Sequence, residues 1–474
     1  MTALRSGARR LALLVWAAAV ATCGDSGVRE PLTCDAWRPF DPAVDVDYAA
    51  YAAHVGRDRC PKPWTVLVYM AADVEDLPPY ALADLRELEA AGSSERADVV
   101  VQLDLPGPPG LRRYHLFAAG AATDSPRSPV VATLPEPAGP PEDALADFIT
   151  WGRAHYPSDR VMVVLWGHGQ GWRPRTAAGE RVRHVEGGFA GGFGFDHGQD
   201  TVMDIPTLTD ALTRGSGGAP IDVLVMDACL MQSVDVAATL AEAARYIVGH
   251  EQVDPYGGLA YDAIVPLING QDVVPQDPAC ALADEPCQLA AAIPPRMVSS
   301  TADTFVVSAA DGQVLRAALL PALARLSTAL VAYIAEDPLR ASDLRARLGS
   351  RLPGERIPEF SGNTADLGIL LARLRQEVQE EKACTPPCPT ITGLLAALDD
   401  TERALDAAVI RVSVGPAYAS DDAYAWTAGP AGLSVWVPPR GDVFAARRAA
   451  FATSPAHDWL PWLELLVAEP AADR

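Results

Sequence analysis

Positive charge is what this chain of 474 residues lacks: 38 Lys and Arg stand against 61 Asp and Glu, a formal net charge of -23, and neither sign gathers in a block. Nucleic acid and anionic membrane surfaces need a basic face, so both are excluded as partners, whereas a cationic substrate is favoured. Long apolar runs are scarce. The run from Leu11 to Ala21 is too short to span a bilayer, and no later stretch is expected to cross a membrane. Internal repeats are absent, and His54, His115, His155, His184, His197, His250 and His457 show no metal-ligand spacing, so no metal site is assigned. What remains is 49% hydrophobic and 21% charged with 41 Pro and 37 Gly, the balance of a loop-rich globular protein rather than a disordered one.

Arg5, Arg9 and Arg10 precede the N-terminal apolar run, and Thr22-Cys23-Gly24 follows it. This charge order is that of a secretory signal peptide over residues 1–22, so export is expected. Val20-Ala21-Thr22-Cys23 resembles a bacterial lipobox, whose cysteine is lipidated, although Thr22 replaces the usual Gly, Ala or Ser. The expectation is a cell-envelope lipoprotein anchored through Cys23, with plain secretion as the alternative; a lipid is the only membrane attachment offered. Of the 8 cysteines, setting aside Cys23 for lipid and Cys229 for chemistry leaves 8 - 2 = 6. Cys34 is expected to pair with Cys60, Cys280 with Cys287, and Cys384 with Cys388, as suits an oxidising compartment. A metal reading of Cys384-Thr-Pro-Pro-Cys388 lacks a second ligand pair.

Residues 23–62 are polar and Pro-containing, a linker or short embellishment, and order is expected from 63 onward. Short Val- and Leu-rich runs alternating with helical patterns indicate an α/β fold whose mostly parallel sheet is covered on both faces. Strands are predicted at Trp64 to Met70, Asp98 to Leu103, Arg160 to Trp166, Ile221 to Met226 and Tyr246 to His250, with a hairpin strand at Arg113 to Phe117. Helices are predicted at Tyr80 to Ala91, Glu142 to His155, Pro206 to Thr213 and Val234 to Ala244, and Gly171 to Gly198 is read as irregular. The core is bounded at 63–270, and residues 271–474 form an additional C-terminal α/β region packing on it; there Phe305 to Ser308 and Leu433 to Val437 read as strands and Val314 to Ala335 as a long apolar helix.

Two strand ends carry chemistry. One runs into Gly167-His168-Gly169 and another into Asp227-Ala228-Cys229. In open α/β sheets reactive groups collect at the carboxyl ends of strands, so neighbouring strands would present both side chains on one edge. A thiol is a weak nucleophile until a base takes its proton, and the imidazole then protonates the leaving amine. The N-H groups of Gly169 and Cys229 are candidate oxyanion donors. Taken singly, Cys229 reads equally as a small buried hydrophobe, Asp227 as a turn carboxylate, and Asp73, Glu75 and Asp76 as a solvated rim.

The motifs together are more specific. Trp64 to Asp73, Leu165-Trp166-Gly167-His168-Gly169, Met226-Asp227-Ala228-Cys229-Leu230-Met231, Gln252 to Tyr261 and Gly432-Leu433-Ser434-Val435-Trp436 resemble, in order, the clostripain family of cysteine peptidases. The resemblance implies a caspase-like fold and an endopeptidase cutting after Arg or Lys, with protein or peptide substrates bearing basic residues. It makes His168 the catalytic histidine, Cys229 the nucleophile and Asp227 the carboxylate facing the basic side chain, a contact a guanidinium can make bidentately. Glu251 and Asp254 are candidates for a second acidic contact. The family also implies cleavage between the His and Cys segments, where Arg173, Arg175, Arg181 and Arg183 lie, with Arg181 and Arg183 the candidate processing sites. No cofactor is required by the sequence; some relatives need calcium, and Asp196, Asp200 and Asp204 offer oxygens at a spacing that matches no known calcium loop. The rival readings are a catalytically silent lipoprotein that keeps the fold as a binding module, and a Cys-His enzyme of other bond specificity or ligase chemistry.

Overall fold

Strand β1 (Lys62–Ala71) is apolar on both faces: Val66, Val68 and Met70 enter one hydrophobic core, while Leu67, Tyr69 and Ala71 enter the other. A strand alternates its side chains, so a continuous apolar run must be covered twice. In the computed structural model this is how the sheet is built. Residues 37–55, 60–108, 110–118, 126–136, 139–172, 191–196, 201–252, 257–296, 305–337, 339–348, 364–380, 389–416, 429–438 and 441–468 are described.

The further strands are β2 (Ala97–Asp104), β3 (Arg112–His115), β4 (Val130–Thr133), β5 (Ser158–Gly167), β6 (Phe193–Asp196), β7 (Thr201–Met203), β8 (Ile221–Asp227), β9 (Ala244–His250), β10 (Val306–Asp311), β11 (Thr364–Asp366), β12 (Val409–Val414) and β13 (Ser434–Trp436). Nine of them form one sheet in the order β12-β10-β9-β8-β5-β1-β2-β3-β4. The central five, β9 to β2, are mutually parallel, and both margins are antiparallel. The strands β10 and β12 come from beyond residue 271, so the C-terminal region extends the sheet itself as well as packing on it.

Helices Pro141–His155, Ile205–Gly215 and Val234–Leu240 cover one face, and Pro78–Ala91 and Tyr261–Asn269 the other. The helix at Val234 stops at Leu240, earlier than the predicted Ala244, because Ala244 already begins β9. The segment read as irregular contains the antiparallel ribbon of β6 and β7. Among the described residues one stretch, Gly312–Glu336, is long and apolar enough by length and composition to cross a membrane, against the expectation of none. Its Leu315, Leu319, Leu323, Leu326 and Leu330 lie in the core, which accounts for its apolarity. Burying each such side chain stabilises the fold by about 1.5–3 kcal/mol.

Candidate active site

The strands preceding His168 and Cys229 are immediate neighbours. β5 and β8 run parallel in a register that sets Trp166 beside Asp227, so the two loops leave the same sheet edge side by side. Their backbones touch. A Cβ built on Gly169 would stand 2.5 Å from the Cys229 carbonyl oxygen, so any larger residue there would push the loops apart. The ribbon holds the histidine loop from its other side, with Gln170 N donating to Gly192 O and Gly194 N to His168 O. These bonds flank Gly169, whose own N-H therefore turns away from the ribbon.

Cys229 is a half-buried thiol outside any disulfide. It is followed by Leu230 at φ 63°, a left-handed conformation that a branched side chain adopts at a cost and that active-site turns often store. Leu230 N donates to Gln252 O, and Gln232 N to His250 O, which binds the turn to β9 and the loop after it. Ser434 N donates to Gln232 O, so the Gly432 motif supports the cysteine turn from behind.

His168 is 36% exposed, and its Nε2 lies 3.1 Å from Asp76 Oδ1 on the loop after β1. Its ring meets Phe195 of β6 edge-on at 6.5 Å. The imidazole is thus held from two sides by segments distant in sequence.

Asp227 closes β8 and is buried, its Oδ2 accepting from the Tyr261 hydroxyl at 2.5 Å and from Leu259 N at 3.5 Å. Asp84, on the helix Pro78–Ala91, faces it and accepts from the Trp166 indole at 2.6 Å. Burial first, and the charge of Asp227 second, push the Asp84 carboxyl up to about 8. Gly258, at φ +56°, passes close to both: a Cβ there would stand 3.1 Å from Asp84 Oδ2 and 3.3 Å from Asp227 Oδ2. Asp84 and Tyr261 were not singled out as site residues from the sequence, since only the packing of three elements brings them to the end of β8.

Other predicted residues fall differently. Glu251, expected in the substrate cleft, is instead fully buried, and burial together with Asp366 holds its carboxyl well above the usual range. Asp366 in turn accepts from Ile369, Ala431 and Gly432 N, so this acid pair ties the loop after β9 to the C-terminal region. Asp254, Arg173, Arg175, Arg181, Arg183, Cys23, Cys34, Cys384 and Cys388 lie outside the described residues. Cys280 and Cys287 are joined, and Cys60 is itself disulfide-bonded. Of the aspartates offered for calcium, Asp204 caps the helix Ile205–Gly215 through Thr207 N, Asp200 lies outside the described residues, and Asp196 ends β6. No metal ligands were assigned from the sequence, yet oxygens of Asp73, Asp104 and Glu136 come within 4.8 Å of one another.

Residues 68–285 match the sequence model of the clostripain family, peptidase family C11. No curated protein matches the chain significantly. Among solved structures it is similar to an inactive zymogen C11 protease from Parabacteroides distasonis (18% identity, 86% of this chain and 99% of the other, TM-score 0.54). It is also similar to a secreted C11 cysteine protease of Bacteroides thetaiotaomicron, iotapain (15% identity, 86% and 99%, TM-score 0.53). A further secreted C11 cysteine protease of that organism, solved with an irreversible peptide inhibitor, aligns at 24% identity over 74% of this chain and 84% of the other, with a TM-score of 0.47. The two likenesses above a TM-score of 0.5 show the fold, a caspase-like mixed sheet flanked by helices. The match to the clostripain family of cysteine peptidases thus falls on residues 68–285, the segment that holds both strand ends.

Proposed function

We propose that this protein is an endopeptidase that cuts after Arg or Lys, with Cys229 as nucleophile and His168 as its proton-transfer partner. The observation that carries the reading is the adjacency of β5 and β8, with Gly169 packed directly on the Cys229 carbonyl. On it, the sulfur attacks the scissile carbonyl as its proton passes to the imidazole, and the tetrahedral oxyanion is met by backbone N-H groups at Gly169 and Cys229. His168 then returns the proton to the leaving amine, leaving a thioester that water hydrolyses with the imidazole as base. Asp76 steadies the ring through its 3.1 Å contact.

A basic side chain is read by Asp227 and Asp84 together. Two buried carboxylates near one another cannot both ionise cheaply, so a guanidinium or ammonium between them relieves their repulsion, and a neutral side chain does not. Self-processing after Arg181 or Arg183, export, and anchoring through a lipidated Cys23 belong to the same proposal.

The test is hydrolysis of reporter peptides ending in Arg, Lys, Asn or Asp by purified wild type and Cys229→Ala. Turnover of the Arg and Lys peptides by wild type alone is expected. A preference for Asp, or equal rates in both proteins, contradicts the reading. On a denaturing gel, two fragments from wild type and one band from Cys229→Ala are expected; identical patterns argue against self-cleavage.

A further inference from the structure

The carboxylates proposed to read the basic side chain lie on one face of the sheet edge. Asp227 is met by Tyr261 and Leu259, which belong to the core under the helices Pro78–Ala91 and Tyr261–Asn269. Successive side chains of an extended peptide point to opposite sides. With a basic side chain turned toward that first face, the residue before it turns toward the second, the one covered by the helix Val234–Leu240.

On the second face a small apolar cluster stands apart from both main cores. Val306 opens β10, and its neighbour Val307 points into the core of the first face, so Val306 points toward the second. Val306 is fully buried, and Leu230, Val412 and Val414, each half-buried, pack on it. The pairing with β12 sets Val414 opposite Val306 and Val412 opposite Ser308, so the two valines share this face. The pairing with β9 sets Val307 beside His250, the end of that strand, which places the cluster at the edge that carries Cys229. Leu230 joins cluster to nucleophile, following Cys229 directly at φ 63°. Glycine would hold that turn at no steric cost, so what leucine contributes is its side chain.

The run of the substrate follows from the chemistry of the peptidase reading. An imidazole that protonates the leaving amine must stand beside it, so the departing part of the substrate lies over β5 and the acyl part over β9, β10 and β12. From β8 to β12 is three strand spacings, about 14 Å, which an extended chain at about 3.3 Å per residue spans with about four residues. The cluster therefore lies along the path of the residues that precede the cut, and Leu230 brings its near end to the sulfur.

We propose that Leu230, Val412 and Val414 form a specificity site for an apolar side chain on the residue immediately before the basic one. This deepens the peptidase reading and rests on it. A branched aliphatic side chain there covers three half-buried apolar ones, whereas Gly covers none and Asp loses hydration without gaining a partner.

The test compares capped reporter peptides ending in Leu-Arg, Gly-Arg and Asp-Arg. Their kcat/KM is measured with wild type and Val414→Ser, and the affinity of the same peptides is measured calorimetrically with Cys229→Ala, with and without Val414→Ser. Wild type should favour Leu-Arg over Gly-Arg by about 10-fold or more, with Asp-Arg lowest, and Val414→Ser should reduce the Leu-to-Gly ratio at least about 3-fold. General loosening of the fold would slow all three peptides alike and leave that ratio unmoved. Equal kcat/KM for Leu-Arg and Gly-Arg in wild type, or a ratio unchanged by Val414→Ser, overturns the site. Should Val414→Ser fail to fold, Val412→Thr, which keeps the shape of valine, replaces it under the same criterion. Turnover of none of the peptides by wild type sinks the peptidase reading instead, and the affinity ratio in Cys229→Ala then decides the cluster by the same figures.

Discussion

Two acidic groups flank the histidine on one sheet edge, and they differ in their donors. Asp227 and Asp84 receive hydrogen bonds from Tyr261, Leu259 and Trp166, whereas the Oδ1 of Asp104, beside Asp73 and Glu136, receives none. Both Asp84 and Asp104 are pushed up to about 8, so charge and burial alone do not tell them apart. What separates them is the neighbours: Asp84 and Asp227 are met by an indole, a hydroxyl and a backbone N-H from three elements, whereas Asp104 sits beside two further carboxylates.

Several substitutions would break or sharpen this contrast. The largest effect is expected at Asp227→Asn, which strips a buried charge from the pocket proposed for the basic side chain: kcat/KM for Arg peptides should fall by about 10²–10³-fold, with neutral peptides little changed. Equal losses on both peptide types would move Asp227 from recognition to structure. Next is Gly169→Ala, which forces a methyl onto the Cys229 carbonyl and parts the two loops; a loss of about 10–10²-fold in kcat together with a lowered melting temperature is expected, since small displacements of reacting groups are costly.

Asp84 gives a smaller effect with a definite sign. Its folded value of about 8 lies above the unfolded value of about 4, so the folded protein keeps a proton that the unfolded chain has lost across that interval. Stability contributed through this group therefore falls as pH rises from about 4 to about 8. Melting curves of Cys229→Ala should show this slope, and adding Asp84→Asn should flatten it by about a few degrees. An unchanged slope would mean that Asp84 does not carry it. Smallest is Asp76→Asn: both partners are substantially exposed, so a change of about 2–5-fold in kcat/KM is expected from the weak worth of such a pair. A loss of 10²-fold or more would promote Asp76 to an essential orienting group.

The chain's own pattern made the core strands legible because both faces are apolar, so β1, β2, β5, β8 and β9 appear as unbroken hydrophobic runs. The glycines around His168 and the placement of Cys229 after a strand were visible in the same way. Strand order was not: that β5 lies beside β8 depends on packing between segments some sixty residues apart. The ribbon of β6 and β7 was hidden because strands of four and three residues among glycines leave no period to read. The burial of Glu251 was hidden for a related reason, since its partner Asp366 is more than a hundred residues away and only the folded chain turns its carboxyl inward. Asp84 and Asp104 look in sequence like any helix or strand-end carboxylate, and it is burial against other acids that marks them.

The central claim is that sulfur and imidazole act as one unit facing a pocket for a basic side chain. Its most direct test is the rate at which an irreversible thiol-reactive peptide ending in Arg labels the intact protein, measured by mass spectrometry in wild type and His168→Ala. A single adduct on Cys229 that forms at least about 10²-fold more slowly without His168 is predicted. Equal rates in the two proteins, or an adduct on another residue, would contradict it.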